Sequence, residues 1–363
     1  MANLYPKTNG LLKPKNLIWL KTSFLLWILL LSCSDLNSDK VQKTTLSGNA
    51  QGTTYNIIIC GNHSITKKEI DSILNKIDFV LSNYNSESTI SCINKNKNDT
   101  SFIDESGYFL DCFKESIEIN LNTNGAFDPS IHPLVKSWGL FKVANESVLS
   151  KNKVDSIMNF VGFKNGHHYL IKNNNDSISF QKIDKRFEFD FNAIAQGYSV
   201  DVIADFFNSK NIKNYFIELG GEIKVKGLNQ DNIPWNIGID KPQKNNKNER
   251  IIHKILSVTD KSIATSGNYR KFYIRNGKKY SHTISPFTGQ PVQHNLLSAT
   301  VISNNCSTAD AYATAFMVMG LEKTKKFLSN KENINLDVYL IYENKDGELV
   351  EYISKGMRKY LNK

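Results

Sequence analysis

The sequence has little proline, glycine or cysteine for its length of 363 residues. A content of 8 Pro and 20 Gly excludes a collagen-like or proline-rich chain. Disorder as the main state is also excluded, because 15 Tyr and 20 Phe supply far more apolar area than a disordered chain carries. With 40% hydrophobic residues, the chain can bury a core as one large domain or as two lobes.

The five cysteines lack the spacing of a metal site. None forms a C-x-x-C pair, and no Cys/His cluster has zinc spacing. Apart from Cys33, we expect them to be free buried thiols, with one disulfide as the alternative in an oxidising compartment. These four are Cys60, Cys92, Cys112 and Cys306.

The chain also lacks an apolar run long enough to span a membrane. The run 24–31 contains eight apolar residues, whereas a bilayer core needs about 20. Such a run after a basic segment is typical of a signal peptide. Ser32 before Cys33 resembles a bacterial lipobox. We therefore predict a signal peptide over 1–32, lipidation at Cys33 and a polar tether over 33–45. The alternatives are an uncleaved anchor and a plain signal peptide with a chance cysteine.

This interpretation places the protein in a bacterial cell envelope, lipid-anchored to a membrane and facing the periplasm. The net charge of +10 would fall to +6 without residues 1–32, which carry four lysines and no acid. An excess of this size, scattered over the chain, gives no indication of a nucleic-acid partner. It suits a soluble body near an anionic membrane or on a polyanionic ligand.

Strands and helices are mixed without regular βαβ spacing, which predicts an α+β fold with one compact catalytic domain of one or two lobes. Asn192 is the expected cap of a helix, Ser307 or Thr308 that of another, and Gly320 is expected to end the latter. The predicted helices are 66–81, 104–124, 193–208, 307–319 and 321–329, and the predicted strands are 54–59, 187–191, 214–219, 222–227, 235–239, 255–259, 271–275, 296–302 and 337–342.

Two groups of residues could form a ligand site near the middle of the chain. In Gly125–Pro129, Pro129 favours an extended Asp128 and fixes its carboxylate beside an aromatic face. The ordinary alternative is a loop with a capping Asp. In 190–198, a helix begins with small residues, and free N–H groups at such an end suit a phosphate. The alternative is a capped helix packed tightly on a sheet.

Two more groups follow towards the C-terminus. The segment 262–270 offers hydroxyls and amides in a tight turn, and His282 lies before a turn where an imidazole could act as a general base. A structural histidine is the alternative. Asp310 and Thr314 lie at i and i+4 on one helix face, a plausible hard-oxygen site for Mg²⁺. The alternative is an Asp that complements the helix dipole.

Taken together and in this order, the segments resemble the ApbE family, the FAD:protein FMN transferases once called thiamine biosynthesis lipoproteins. The resemblance covers about 46–343, so we predict a catalytic domain over 46–345 and a C-terminal tail over 346–363. The matching segments are GTTY (52–55), 84–91 with Asn94, GAFDPSIHPLVKSWGL (125–140), FDFNAIAQGYSVD (189–201), ELGGEIKVKG (218–227), SIATSGNYRKF (262–272), YSHTISPFTGQPV (280–292) and TADAYATA (308–315).

The resemblance implies an enzyme that binds FAD and Mg²⁺, splits the pyrophosphate, joins FMN to a Thr or Ser hydroxyl of a target flavoprotein and releases AMP. The metal would be held by Asp310 and Thr314, with backbone oxygens of Ala193 and Ala313. His282 would act as the base beside the diphosphate. The implied FAD contacts are Gln51, Tyr84, Ala126, Phe127, Asp128, Asp190, Gln196 and Ile284.

The chain departs from the family pattern at three positions. Gln51 stands where Met is usual, Gln196 where Lys or Glu is usual, and Ser285 where Asp is frequent. Two other functions remain open: hydrolysis of FAD to FMN and AMP, and non-catalytic FAD binding by a lipoprotein. The resemblance suggests membrane-bound redox subunits as acceptors, with the lipid anchor holding the enzyme near them.

Overall fold

An eight-stranded antiparallel sheet organises the described part of the chain. The structure is a computed structural model that describes residues 41–96, 99–139, 149–163, 168–174, 177–243, 251–268, 272–275, 278–330 and 335–361. The predicted signal peptide, Cys33 and most of the predicted tether lie outside these residues. None of the described helices combines the length and apolarity that a membrane crossing needs.

The central sheet has the strand order β1-β2-β6-β7-β10-β13-β14-β15, and smaller sheets contain β3-β5-β4, β8-β9 and β11-β12. The strands are β1 Lys43–Ala50, β2 Thr53–Cys60, β3 Thr100–Phe102, β4 Tyr169–Asn174, β5 Ser177–Lys182, β6 Asn214–Leu219, β7 Glu222–Lys226, β8 Trp235–Asp240, β9 Ile252–Val258, β10 Lys261–Gly267, β11 Phe272–Arg275, β12 Lys278–Ser281, β13 Leu296–Ser303, β14 Asp337–Glu343 and β15 Leu349–Ile353.

The helices occur at irregular intervals along the chain, and the sheets are antiparallel, so there is no regular βαβ repeat. This arrangement confirms the α+β prediction. Most predicted elements agree with the structure within a few residues. The helices are α1 Lys67–Leu81, α2 Thr89–Lys95, α3 Tyr108–Asn122, α4 His132–Trp138, α5 Lys151–Met158, α6 Ala195–Ser209 and α7 Cys306–Asn330, with a short 3-10 helix at Gly356–Tyr360.

Strand β1 begins inside the segment predicted as a tether. Ala50 pairs with Thr53, so Gln51 and Gly52 form the two-residue connection to β2. Both have positive φ angles, 51° and 70°, as the mirror-image hairpin turns require. Glycine adopts this conformation without strain, and Gln51 is held there by the pairing on both sides.

Helices α6 and α7 pack closely beside the sheet, where they carry the second and fourth sequence groups. Gly197 makes this approach possible, because a Cβ atom there would lie 2.4 Å from the Cys306 carbonyl oxygen. Gly320 interrupts α7 with φ 72°, as expected from the sequence, and a helical segment continues to Asn330.

The sheet face opposite these helices is covered by β8, β9 and the C-terminal residues. Met357 and Tyr360 are buried with Trp235 and Leu256 in one apolar cluster. The segment 346–363 was expected to be a tail. The structure instead includes its described part in the fold, because β15 pairs with β14 and the 3-10 helix fills this cluster.

The strand predicted at 187–191 is wrong. The segment is extended, but the Asn94 side chain takes the place of a partner strand: its Nδ2 donates to the Phe189 carbonyl (2.8 Å) and its Oδ1 accepts from the Phe189 N–H (2.7 Å). Asn83 also donates to the Phe189 carbonyl (3.1 Å). A side chain distant in sequence thus satisfies groups that a ladder would otherwise bind.

Both predicted helix caps are wrong as well. Helix α6 begins at Ala195 after the cap position Ile194, and Asn192 instead donates its N–H to Asp190 (2.8 Å). At the start of α7, the Asp201 carboxylate accepts from the N–H groups of Cys306 (3.0 Å) and Ser307 (2.9 Å).

The four cysteines within the described residues are all free thiols. Cys60, Cys112 and Cys306 are buried, as expected, whereas Cys92 is exposed on α2. Burial raises the pKa of the Cys112 and Cys306 thiols well above the usual range.

Candidate ligand cleft

A cleft of about 1860 Å³ brings together residues from all four sequence groups. Ala313 is not among its lining residues: it is fully buried on α7, next to Thr314. Cys33 lies outside the described residues. The sequence-predicted residues that line the cleft are Gln51, Tyr84, Ala126, Phe127, Asp128, Asp190, Ala193, Gln196, His282, Ile284, Asp310 and Thr314.

The turn at 125–129 is fixed by the end of α3. Asn120 Nδ2 donates to the Phe127 carbonyl (2.7 Å), and the Phe127 N–H donates to Thr123 Oγ1 (3.1 Å). Asp128 then accepts from Ser130 N–H (2.8 Å) and from its hydroxyl (2.6 Å). Burial nevertheless raises the pKa of Asp128 to about 6.

Asp190 is held from two sides at the edge of the cleft. Its Oδ1 accepts from Asn192, and its Oδ2 lies 3.2 Å from His132 Nδ1. Burial lowers the pKa of His132, but the bond to Asp190 and the charges of Asp190 and Glu188 outweigh it, so the pKa is raised. His132 lies inside the 125–140 motif and has no predicted role of its own; the local signal is its neighbour Pro133, at a helix start.

Asp310 and Thr314 share the cleft-lining face of α7. Asp310 Oδ2 accepts from the Gly197 N–H (3.2 Å), and burial raises the pKa of this carboxyl to about 7. The Thr314 and Ser266 hydroxyl oxygens are 3.1 Å apart. A cation would offset the cost of burying the Asp310 charge.

This donor set fits Mg²⁺. Among the residues that line the cleft, it consists of one carboxylate, one hydroxyl and the backbone oxygen of Ala193, which are hard oxygen ligands. No group of three or more His, Cys, Asp or Glu residues forms a metal cluster in the described ranges. Magnesium needs none, because water and substrate phosphates usually complete its octahedral shell.

The lining of the cleft is strongly acidic, although the whole chain is basic. Among the lining residues that the structure describes, none is Lys or Arg. A diphosphate entering such a cleft would meet no cationic Lys or Arg side chain of the described lining, so a bound cation would favour its binding. The lining carboxylates are Asp78, Asp128, Asp190, Glu218, Glu222, Asp240 and Asp310.

The loop that carries His282 and Ile284 is built on a closed turn. Ser285 N–H donates to the Gln290 carbonyl (2.8 Å), and Ser285 Oγ accepts from Phe287 N–H (3.3 Å). Trp138 Nε1 anchors the turn through the Gly289 carbonyl (2.8 Å). An Asp side chain could accept the same bond as Ser285 does, so this departure keeps the turn.

Gln51 and Gln196, the other two departures, lie next to each other. Gln196 Nε2 donates to the Gln51 carbonyl oxygen (3.4 Å), and Gln51 Nε2 donates to Ser199 Oγ (2.7 Å). Tyr84, at the rim, is 66% exposed and offers its ring to a ligand. Gln51 and Gln196 therefore place two uncharged polar side chains next to each other in the cleft.

Sequence analysis assigned no role to the carboxylates behind the metal-site candidates. Asp201 pairs with Lys224 (2.6 Å) while it binds the start of α7, and Glu115 accepts from the hydroxyls of Ser307 (3.0 Å) and Thr308 (2.7 Å). No local signal identifies these partners, because they lie on other elements. They hold the first turn of α7, which directly precedes Asp310.

Fold and cleft together describe an α+β protein with a large cleft lined by several carboxylates. The model of the ApbE family matches residues 51–340, so the chain belongs to this family. The FAD:protein FMN transferase of Vibrio cholerae is 35% identical over 328 residues, which are 89% of this chain and 94% of that protein. That of Haemophilus influenzae is 33% identical over 310 residues, with coverages of 84% and 87%.

Solved structures give the same result for the fold. The flavin transferase ApbE from Vibrio cholerae superposes with a TM-score of 0.77 at 33% identity, covering 88% of this chain and all (100%) of that one. The apo form of the Pseudomonas stutzeri flavinyl transferase ApbE has a TM-score of 0.75 at 27% identity, with coverages of 90% and 98%. The resemblance predicted from the motifs is confirmed.

Proposed function

We propose that the cleft binds FAD together with Mg²⁺ and transfers FMN to a Thr or Ser hydroxyl of a target flavoprotein, with release of AMP. The family match and the shared name of the relatives make the chain an FAD:protein FMN transferase. The magnesium requirement, the residue roles and the cellular location are the parts that go beyond that statement.

The observation that carries the proposal is the position of Asp310 and Thr314 in an acidic cleft. Both line the same cavity as Asp128, Asp190 and His282. Bound Mg²⁺ would neutralise charge on the diphosphate and orient it for in-line attack. Asp310 and Thr314 would hold the cation, with the backbone oxygens of Ala193 and Ala313 as further donors.

His282 is the proposed general base. It lines the cleft on the loop after β12, close in sequence to the buried Ile284. The acceptor hydroxyl is a poor nucleophile while protonated, so an imidazole nitrogen that takes its proton would accelerate transfer by ~10²–10⁴-fold. The phosphoester bond to the acceptor oxygen forms as the pyrophosphate bond breaks, and AMP leaves.

Hydrolysis to FMN and AMP is the second candidate function, because water could take the place of the acceptor hydroxyl in an open cleft. Incubation with FAD and Mg²⁺, with and without an acceptor protein, separates the possibilities. AMP release that depends on acceptor supports transfer, and AMP release without acceptor supports hydrolysis. FAD binding without AMP release would contradict both and leave a binding protein.

The metal site is tested by Asp310→Asn and Thr314→Val in the same assay. Asp310→Asn removes the negative charge and one carboxylate oxygen, and Thr314→Val removes the hydroxyl, while both nearly conserve volume. We therefore expect at least a tenfold loss of AMP release and weaker Mg²⁺ binding in calorimetry. Glu322→Gln, an exposed position on the same helix, is the matched control. Full turnover of the double variant, or in excess chelator, would disprove the proposed metal site.

The base is tested by His282→Ala. We expect FAD binding to stay nearly intact while transfer falls at least about tenfold, because only proton removal from the acceptor is lost. Fluorescence titration of FAD and the AMP assay give the two readouts. Retained activity would remove His282 from the mechanism.

The location proposed from the sequence remains part of this proposal. A lipid at Cys33 would hold the enzyme at the membrane and raise its effective concentration near membrane-bound redox subunits as acceptors. Mass spectrometry of a candidate acceptor, co-expressed with the chain, would detect the covalent flavin. Fractionation of Cys33→Ser tests the anchor: if the variant stays membrane-bound, the anchor lies elsewhere.

A further inference from the structure

The Thr265-Ser266-Gly267 segment has no role in the function described so far. The sequence predicted a tight turn there, but the structure places these residues at the end of β10. Ser266 lines the cleft and forms its hydrogen bond with Thr314. The neighbouring Thr265 hydroxyl is paired with Thr300 (2.9 Å), so the two hydroxyl groups differ in their surroundings.

The hydroxyl groups of Ser266 and Thr314 carry two protons, and the hydrogen bond between them uses only one. Each hydroxyl carries one proton and can also accept. Only one of the two protons can lie between oxygens 3.1 Å apart. Within the described parts of the chain, neither hydroxyl has a second protein partner. The remaining proton is therefore available to a ligand in the cleft.

The role of Thr314 decides which hydroxyl donates that proton. If Thr314 Oγ1 binds a metal ion, it does so through a lone pair, and the Thr314 hydroxyl proton then points to Ser266 Oγ. Ser266 then accepts from Thr314 and must donate its own proton elsewhere. The nearest ligand group would be the diphosphate, whose anionic oxygens are strong acceptors.

We propose that Ser266 is a substrate-binding residue whose hydroxyl donates a hydrogen bond to a diphosphate oxygen of the bound dinucleotide, while its oxygen accepts from Thr314. This inference rests on the proposed function, because it needs a diphosphate beside Thr314. It assigns to Ser266 two tasks: it orients the Thr314 hydroxyl, and it supplies a donor in a cleft whose described lining has no cationic side chain.

The inference is tested by ligand binding to Ser266→Ala, measured by calorimetry in Mg²⁺. FAD, ADP and riboflavin are the probes, because the first two share the diphosphate and the third lacks it. Loss of a hydrogen bond to a charged group predicts at least about tenfold weaker binding of FAD and ADP, with riboflavin unchanged within about twofold.

Two further variants separate binding from structure. Ser262→Ala removes a hydroxyl from the same strand, but this hydroxyl donates to the Asn304 carbonyl (3.1 Å), so we expect no change in ligand affinity. Ser266→Thr keeps the hydroxyl and should retain ADP affinity within about threefold. If Ser266→Ala fails to fold, Ser266→Cys, with a weaker donor, replaces it in the same titrations.

Unchanged ADP affinity in Ser266→Ala would overturn the inference, as would an equal loss for riboflavin, which indicates a general structural effect. In both cases acceptor-dependent AMP release by the unaltered chain would leave the proposed function standing. If the unaltered chain binds neither FAD nor ADP with Mg²⁺, the proposed function fails first, and the inference fails with it.

Discussion

At the scale of the residue, backbone donors hold the acidic side chains of the cleft. Asp128 accepts from the N–H of Phe163 (3.2 Å), Asp190 from that of Asn192 and Asp310 from that of Gly197. Such bonds favour the charged carboxylate, whereas burial opposes it. Burial outweighs the bonds at Asp128 and Asp310, whose pKa values are raised to about 6 and about 7.

The raised pKa of Asp128 predicts how stability changes with pH. Its carboxyl titrates near 3.8 in an unfolded chain and near about 6 in the folded one. Between these values the folded state binds more protons, so the free energy of unfolding falls as pH rises from about 4 to about 6. The full fall from this group is about 3 kcal/mol.

Asp128→Asn keeps the acceptor for Ser130 but cannot ionise, so this fall should be absent. Urea unfolding of both proteins from pH 4 to pH 7 measures the effect. The difference between the two proteins in unfolding free energy reports the titration of residue 128 alone. Other carboxyls, such as Asp71 and Asp184 with their lowered pKa values, change the stability of both proteins equally. Parallel pH curves would contradict the prediction.

At the scale of the element, the short helix α2 positions the irregular segment 187–191 beside the cleft. Asn94 on α2 binds both backbone groups of Phe189 and also donates to Asn83 Oδ1 (2.9 Å). Lys182 Nζ at the end of β5 binds the Asn94 carbonyl (2.9 Å), although burial lowers the pKa of this lysine to about 8. Asp190 follows Phe189 directly in the chain. Helix α2 therefore positions a cleft-lining residue, although none of its own residues lines the cleft.

Asn94→Ala should therefore lower stability and weaken ligand binding together. The Phe189 N–H loses its acceptor inside the protein, which costs about 2 kcal/mol, whereas its carbonyl keeps the bond from Asn83. Urea unfolding and FAD titration are the measurements. Lys95→Ala, at an exposed neighbouring position, serves as the control and should leave FAD affinity unchanged. A stability loss without any change in FAD affinity would separate α2 from the cleft.

At the scale of the whole molecule, a second apolar layer lies on the face of the central sheet opposite helices α6 and α7. This layer contains β8, β9 and the 3-10 helix, and only the end of β8, at 238–240, also lines the cleft. Met357 and Tyr339 are fully buried in that layer. Met357 does not line the cleft. The C-terminal residues thus contribute stability rather than chemistry.

Met357→Ala tests this division. Removal of a fully buried side chain should lower the free energy of unfolding by about 3 kcal/mol. Because Met357 does not line the cleft, FAD affinity measured below the unfolding transition should be unchanged. Arg358→Ala, at an exposed position, should alter neither quantity by much. A large loss of FAD affinity in Met357→Ala would show that the two layers are coupled.

The sequence by itself determined the α+β class, most element positions, and the juxtaposition of Asp310 with Thr314, since one helical turn separates them. The family resemblance of its motifs also pointed to twelve residues that line the cleft, including His282. Tertiary structure alone decided what holds the 187–191 segment and the start of α7. Their partners, Asn94 and Asp201, lie 95 and 105 residues away. Local periodicity indicates which face of an element is apolar. It contains no information about which distant side chain accepts from a backbone N–H that has no partner within its own element.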